Sequence, residues 1–173
     1  MPDRSIVTAE SFQESVGALR SGALRAVRYF CAVEHLGWDE GPQHVADMGV
    51  ELDFGNRTVV VSWGDAFGHF GLELQLTRGS ELFKNNPTIF DVTHHDFWQP
   101  FVGGRLEATD IWRTGVVGAT EPAPVAVNLR CRGQDLWVVA AEDRLYDGLW
   151  LGADSLMVTR DPSWVETHLG SAE

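Results

Sequence analysis

The chain is predicted to be α+β, mostly β, built from two similar antiparallel meander halves of one short helix and four strands each. Three observations lead there. "GVELDFGNRTVVVSWGD" (49–65) alternates Val50, Leu52, Phe54, breaks at Gly55-Asn56 and resumes as Val59, Val60, Val61. "AVNLRCRGQDLWVVAAE" (126–142) alternates Val127, Leu129, Cys131, breaks at Arg132-Gly133 and resumes as Leu136, Trp137, Val138. Both have the alternation and turn residues of a β-hairpin, and they superpose at an offset of 77 residues. Third, "SGALRAVRYF" (21–30) lies over "GGRLEATDIW" (103–112), and "LQLTR" (74–78) over "LMVTR" (156–160), both at an offset of 82. An offset that shifts and returns implies an internal duplication with two compensating insertions, about a pseudo-twofold axis.

The elements follow in chain order. Ser11-x-x-Glu14 fits a capping box, in which a hydroxyl and a carboxylate three residues on satisfy free N–H groups of a first helical turn. Strands are expected near 23–30, 50–54, 58–63 and 72–77, completing a first half at 11–80. The second strand of each hairpin is apolar on both faces, which suits a covered, central strand. "ELFKNNPTIFDV" (81–92) reads as a short linker. The second half, 93–161, opens on "THHDFWQPF" (93–101), where Thr93-x-x-Asp96 occupies the place of the first capping box. Trp98 and Phe101 then take the inward positions of Val16 and Leu19, and Pro100 should cut this second helix to a turn or two. Strands follow near 105–112, 126–131, 135–141 and 155–160, and Ser163-x-x-Glu166 starts a terminal helical turn at 163–169. The 173 residues form one domain with a shared core.

Composition narrows function. Twenty-five acidic residues stand against 13 basic ones, a net charge of −12. A field of that sign repels phosphate backbones and anionic membranes and steers association with a basic partner. No stretch of about 18 consecutive apolar residues occurs, so no spanning helix is expected. "MPDRSIVTAE" lacks the basic and apolar regions of a signal peptide, which makes the cytoplasm the expected compartment.

The residues able to do chemistry are better explained as scaffold. Neighbouring helical side chains point about 100° apart, so His94 and His95 are badly placed to share a metal ion. Cys131 falls on an inward strand position. Cys31 has His35 four residues on, but no third group to orient a nucleophilic pair. "GDAFGHFG" (64–71), with His69, joins two strands and lacks the pattern of a phosphate loop. "WVETH" (164–168) lacks the two histidines four apart that a helical zinc site needs. The acidic neighbours Asp39-Glu40 and Glu142-Asp143 read as solvated loop. No cofactor and no metal are expected.

The two insertions are more informative. "CAVEHLGWDEGPQHVADMG" (31–49) and "DRLYDGLWLGAD" (143–154) set aromatic rings among acids and glycines. Aromatics amid charge are typical of interface hot spots; the competing role is to fold back and cover a sheet edge. The expected partner-binding residues are Trp38, Asp39, Glu40, Tyr146, Asp147 and Trp150, in a non-enzymatic module that recognises another, basic protein. In size, charge and compartment such a module resembles the small acidic immunity proteins that neutralise bacterial toxins, although no motif carries that likeness. The alternatives are a small enzyme or ligand-binding β-domain with a pocket at the seam, using His69, His94 and His95, and a structural subunit of a larger complex.

Overall fold

The computed structural model describes residues 6–32, 39–67, 71–116, 118–144 and 148–170. In chain order its elements are α1 (Ala9–Leu19), β1 (Ala26–Cys31), β2 (Asp39–Glu40), β3 (Gln43–Ala46), β4 (Gly49–Asp53), β5 (Thr58–Gly64) and β6 (Gly71–Leu76). There follow α2 (Gly79–Leu82), β7 (Thr88–Asp91), β8 (Glu107–Arg113), β9 (Ala123–Cys131), β10 (Gln134–Arg144), β11 (Gly148–Thr159) and α3 (Pro162–Leu169). The strands make two antiparallel sheets, one ordered β6-β5-β4-β1-β7 and the other β2-β3-β11-β10-β9-β8. Among the described residues no helix is long and apolar enough to cross a membrane.

Period-two alternation explains the layers. Val27, Tyr29, Val50, Leu52, Val59, Val61, Leu72 and Leu74 point from the five-stranded sheet into a core shared with Val127, Leu129, Leu136, Val138, Leu156 and Val158 of the other. The sheets are thus stacked face to face. The opposite face of the second sheet is also apolar: Ala126, Val139, Ala141 and Met157 lie under Val165 and Leu169 of α3. This is why β10 is hydrophobic on both faces. On the first sheet Phe30, Val60 and Phe83 form a smaller outer cluster. There the chain comes so close that a Cβ on Gly79 would lie 2.2 Å from the Phe30 ring, leaving room for glycine alone.

α1 packs against β5, β6 and β8. Phe12, Val16 and Leu19 are buried, and Phe12 meets Phe67 and Trp112 edge to face at 5.5 and 5.7 Å. The helix starts earlier than Ser11. Thr8 is the N-cap: its Oγ1 accepts from Ser11 N at 3.2 Å, and Ser11 Oγ accepts from Thr8 N at 2.9 Å. Ser11 is therefore the N3 residue that closes a capping box, not the N-cap that opens it.

All eight strands expected from alternation are present, and each set of four follows the same up-and-down order. The two-residue turn of the β9–β10 hairpin takes positive φ at Arg132 (52°) and Gly133 (77°), the twist that closes a tight hairpin.

Two halves of one helix plus four strands, and the internal duplication behind them, are not supported. Residues 93–102 form turns rather than a second helix. β2 and β3, from the first insertion, join the second sheet, while β7, from the expected linker, joins the first. The central hairpins keep register, with Leu52 opposite Val59 and Leu129 opposite Leu136. The flanking strands do not follow the 82-residue offset. Val27 faces Leu52 and Ala108 faces Leu129, which puts β1 and β8 81 residues apart. Val61 faces Leu74 and Val138 faces Val158, which puts β6 and β11 84 apart. A one-residue slip turns every side chain to the other face, so β1 and β8 were matched out of phase, whereas the two-residue slip of β6 and β11 keeps the inward face and changes only the pairing.

Candidate functional site

Of the expected partner-binding residues, Trp38, Tyr146 and Asp147 lie outside the described residues. Asp39, Glu40 and Trp150 are placed by their backbones. Asp39 and Glu40 form β2, the edge strand of the six-stranded sheet, opposite His44 and Gln43. Trp150 stands opposite Glu142 in the β10–β11 hairpin, past a shift of register between Ala140 and Ala141. The pairing of Val158 with both His44 and Val138 puts Asp39 on the same row of the sheet as Val138. Glu142 is four residues further along β10, about 13 Å at roughly 3.3 Å per residue. The two insertions therefore lie on one sheet, at separate heights.

Behind β2 runs a buried polar chain. Trp98 Nε1 donates to Tyr29 Oη at 2.7 Å, and Tyr29 Oη lies 2.9 Å from His44 Nδ1. Trp98 and Tyr29 are fully enclosed and His44 is 1% exposed. The His44 ring then packs on Phe97 at 4.0 Å and on His95 at 4.9 Å between centroids. A tyrosine and a tryptophan buried whole need partners for their polar atoms; here they are each other's. This chain fastens β1, β3 and the 93–102 segment to one another, and so fixes where β2 runs.

The segment "THHDFWQPF" is scaffold of a different kind from a helix start. Thr93 is buried and bridges to β1: its Oγ1 accepts from Val27 N at 3.0 Å and donates to Val27 O at 3.3 Å. It caps nothing. Linked turns follow, with Trp98 N donating to His95 O and Phe101 N to Trp98 O. Trp98 and Phe101 are driven inward, each 0% exposed. His94 is exposed, and His95 Nδ1 accepts from Phe97 N at 3.2 Å. The two histidines do not converge, and among the described residues no group of three His, Cys, Asp or Glu side chains is placed to hold a metal ion. His69 lies outside the described residues.

Asp91, which follows Ile89 and Phe90 in β7, accepts from Thr93 N at 3.0 Å. Its carboxyl is held below the usual range, first by a side-chain hydrogen bond from Thr93 and then by the Thr93 N–H, Arg28 and His94, against the opposing effect of burial. Thr93→Ala should thus lower stability by about 1–3 kcal/mol, the cost of leaving a buried N–H without its acceptor, as read by denaturant unfolding. An unchanged midpoint would mean that the Val27 bridge carries no weight.

The cysteines are core residues. Both are buried and free. Burial pushes the Cys31 thiol up to about 11, with the charge of Asp47 acting in the same direction and a backbone hydrogen bond at Asp47 opposing. A thiol so held is a poor nucleophile at neutral pH. His35, its sequence neighbour, lies outside the described residues.

Sequence reasoning missed two clusters. On the outer face of the five-stranded sheet, Arg28 Nη1 contacts Glu51 Oε1 at 2.5 Å, and the second Glu51 oxygen accepts from Gly79 N at 2.7 Å. The Glu51 hydrogen bond raises the Arg28 pKa, against desolvation. An acid and an arginine directly opposite each other on neighbouring strands became visible in "AVRYF" and "GVELD" only once the β1–β4 register was known. The second cluster is a cleft of about 400 Å³ at one end of the second sheet, lined by Phe97, Gln134, Asp135, Trp137, Arg160 and Pro162.

No protein-family model, no curated protein and no solved structure matches this chain.

Proposed function

We propose that the protein is a non-enzymatic, acidic protein-binding module, an inhibitor or immunity-type protein that neutralises a basic partner. The observation that carries this reading is the net charge of −12, which steers a cationic surface toward the molecule and repels phosphate and anionic lipid. A second observation supports it: Asp39, Glu40 and Trp150, from the two acidic and aromatic insertions, belong to the same sheet. The binding residues on this reading are Trp38, Asp39, Glu40, Tyr146, Asp147 and Trp150, and no cofactor takes part. The site of action is the cytoplasm.

The experiment begins with affinity purification from the native host, and mass spectrometry of what is retained. With the partner in hand, the association rate should fall steeply as salt rises, because steering is screened beyond a Debye length of about 8 Å at physiological ionic strength. Trp38→Ala and Trp150→Ala should each weaken binding by about 2 kcal/mol or more through the dissociation rate, with little change in melting temperature. If both variants instead lose about 3–5 kcal/mol of stability, these rings belong to the core and the reading fails.

A further inference from the structure

The cleft at the end of the second sheet holds an arginine with no acid of its own. Arg160 Nη1 donates to Phe97 O at 3.4 Å and Nη2 to the Gln134 side-chain oxygen. Its guanidinium carbon lies 5.8 Å from the Phe97 ring centroid and 5.7 Å from that of Phe101. Both acceptors are neutral, and Arg160 makes no ion pair among the described residues. In a chain with 25 acids and 13 bases, that is an unusual economy. The carboxylate at the rim is already taken: Asp135 receives Arg130 Nε at 2.9 Å, Arg130 Nη2 at 3.1 Å and Asn128 Nδ2 at 3.2 Å.

The other polar side chains of the cleft, those of Arg160, Trp137 and Gln134, have donors to offer. A guanidinium carries five N–H groups, of which Arg160 uses two here. The indole N–H of Trp137 has no partner among the described residues, and Gln134, its oxygen engaged, offers its amide N–H groups. The walls between them are flat and apolar: Phe97 and Trp137 are half-buried, and Pro162 starts α3 beside them. A volume of about 400 Å³ falls within the usual range of small-ligand sites, about 300–1,000 Å³.

We propose that this cleft binds a small planar carboxylate, its anionic end on Arg160 and its flat apolar body between Trp137 and Phe97. One positive charge and a surplus of donors select an anion, and Arg meets the two carboxylate oxygens in a fork. The aromatic walls select a flat body over a bare ion. The site is independent of the partner-binding reading, since it uses none of those residues and takes a ligand of opposite charge to the expected partner.

The test is calorimetric titration of the full chain with 2-naphthoate, with the neutral 2-naphthamide as control. Naphthoate should bind saturably, with Kd below about 1 mM, and the amide at least tenfold more weakly. Arg160→Gln should weaken naphthoate by about tenfold or more, the share of a charge-assisted hydrogen bond, and Arg160→Lys by less. The Trp137 indole N–H resonance should move on addition of naphthoate to the unsubstituted protein, which keeps the test decisive if Arg160→Gln fails to fold. Equal binding of acid and amide, no saturation, or an unmoved Trp137 signal would overturn the site. A tryptophan-ended peptide with a free C-terminus that binds more tightly than naphthoate would assign the cleft to chain ends, and overturn the small-molecule form.

Discussion

Trp98→Ala should lower stability by about 3–5 kcal/mol, the range for removing a large aromatic from a packed interior. The side chain is fully enclosed and contacts Tyr29, Phe97 and Phe101 edge to face at 6.0 to 6.4 Å between centroids. Its loss leaves a cavity at the point where both sheets and the 93–102 segment meet. Trp98→Phe separates packing from polarity. It keeps much of the ring but removes the N–H that donates to Tyr29 Oη, and should cost about 1–2 kcal/mol in addition to the lost volume. Urea or guanidinium unfolding of the two variants gives both numbers. A cost for Trp98→Ala under about 1 kcal/mol would show that the segment is not part of the cooperative core.

Arg28→Met should be the other severe substitution, at about 3 kcal/mol, toward the low end for breaking a buried pair because the arginine side chain is 36% exposed. What is lost is less the pair than the compensation for Glu51, whose side chain is 6% exposed. A carboxylate left there without its cation keeps only the Gly79 N–H, with Asp53 close by. The double variant Arg28→Met, Glu51→Gln keeps an amide oxygen for Gly79 and removes the stranded charge. It should be more stable than Arg28→Met alone by a kcal/mol or more. If the double variant is the less stable of the two, the penalty does not come from the buried charge.

Much of this fold was legible because alternation over five or more residues specifies both a strand and its inward face. The hairpins at 50–63 and 127–140 were placed by that pattern together with their turn residues, and Gly133 does take the positive φ that the turn needs. Short elements were not legible. β3 has four residues, and its inward positions are filled by His44 and Ala46, so that "QHVA" shows no alternation of large apolar residues toward the core. His44 is inward because a tyrosine hydroxyl waits for it, a fact of tertiary contact. β7 also has four residues, with Ile89 exposed at 49%, and reads as linker. In "THHDFWQPF" the spacing of Trp98 and Phe101 is common to a helix and to linked turns, and the choice was made elsewhere. Thr93 spends its hydroxyl on Val27, so none is left to cap a first turn.

The candidate site was legible only in part. Tryptophans among acids directed attention to the insertions, but pattern alone could not say that Asp39 and Glu40 would become an edge strand. The Arg160 cleft was invisible for a simpler reason. Its lining comes from three separated stretches, at 97, 133–137 and 160–162, and no local window contains more than a fragment of it.

The crossing of strands between sheets bears on how the chain is made. β3 pairs with β11, so that Ala46 waits for Leu156, and β1 pairs with β7, so that Tyr29 waits for Phe90. During synthesis the apolar face of β1, β4, β5 and β6 emerges from the ribosome well before the strands that will cover it. At about 5–20 residues per second, the interval between Ala46 and Leu156 lasts roughly 5–20 seconds. Through that interval a nascent chain would expose Val27, Val50, Val61 and Leu74 to whatever else is near. Separately expressed fragments cut in the 81–87 link should consequently be recovered only together, each serving as the chaperone of the other.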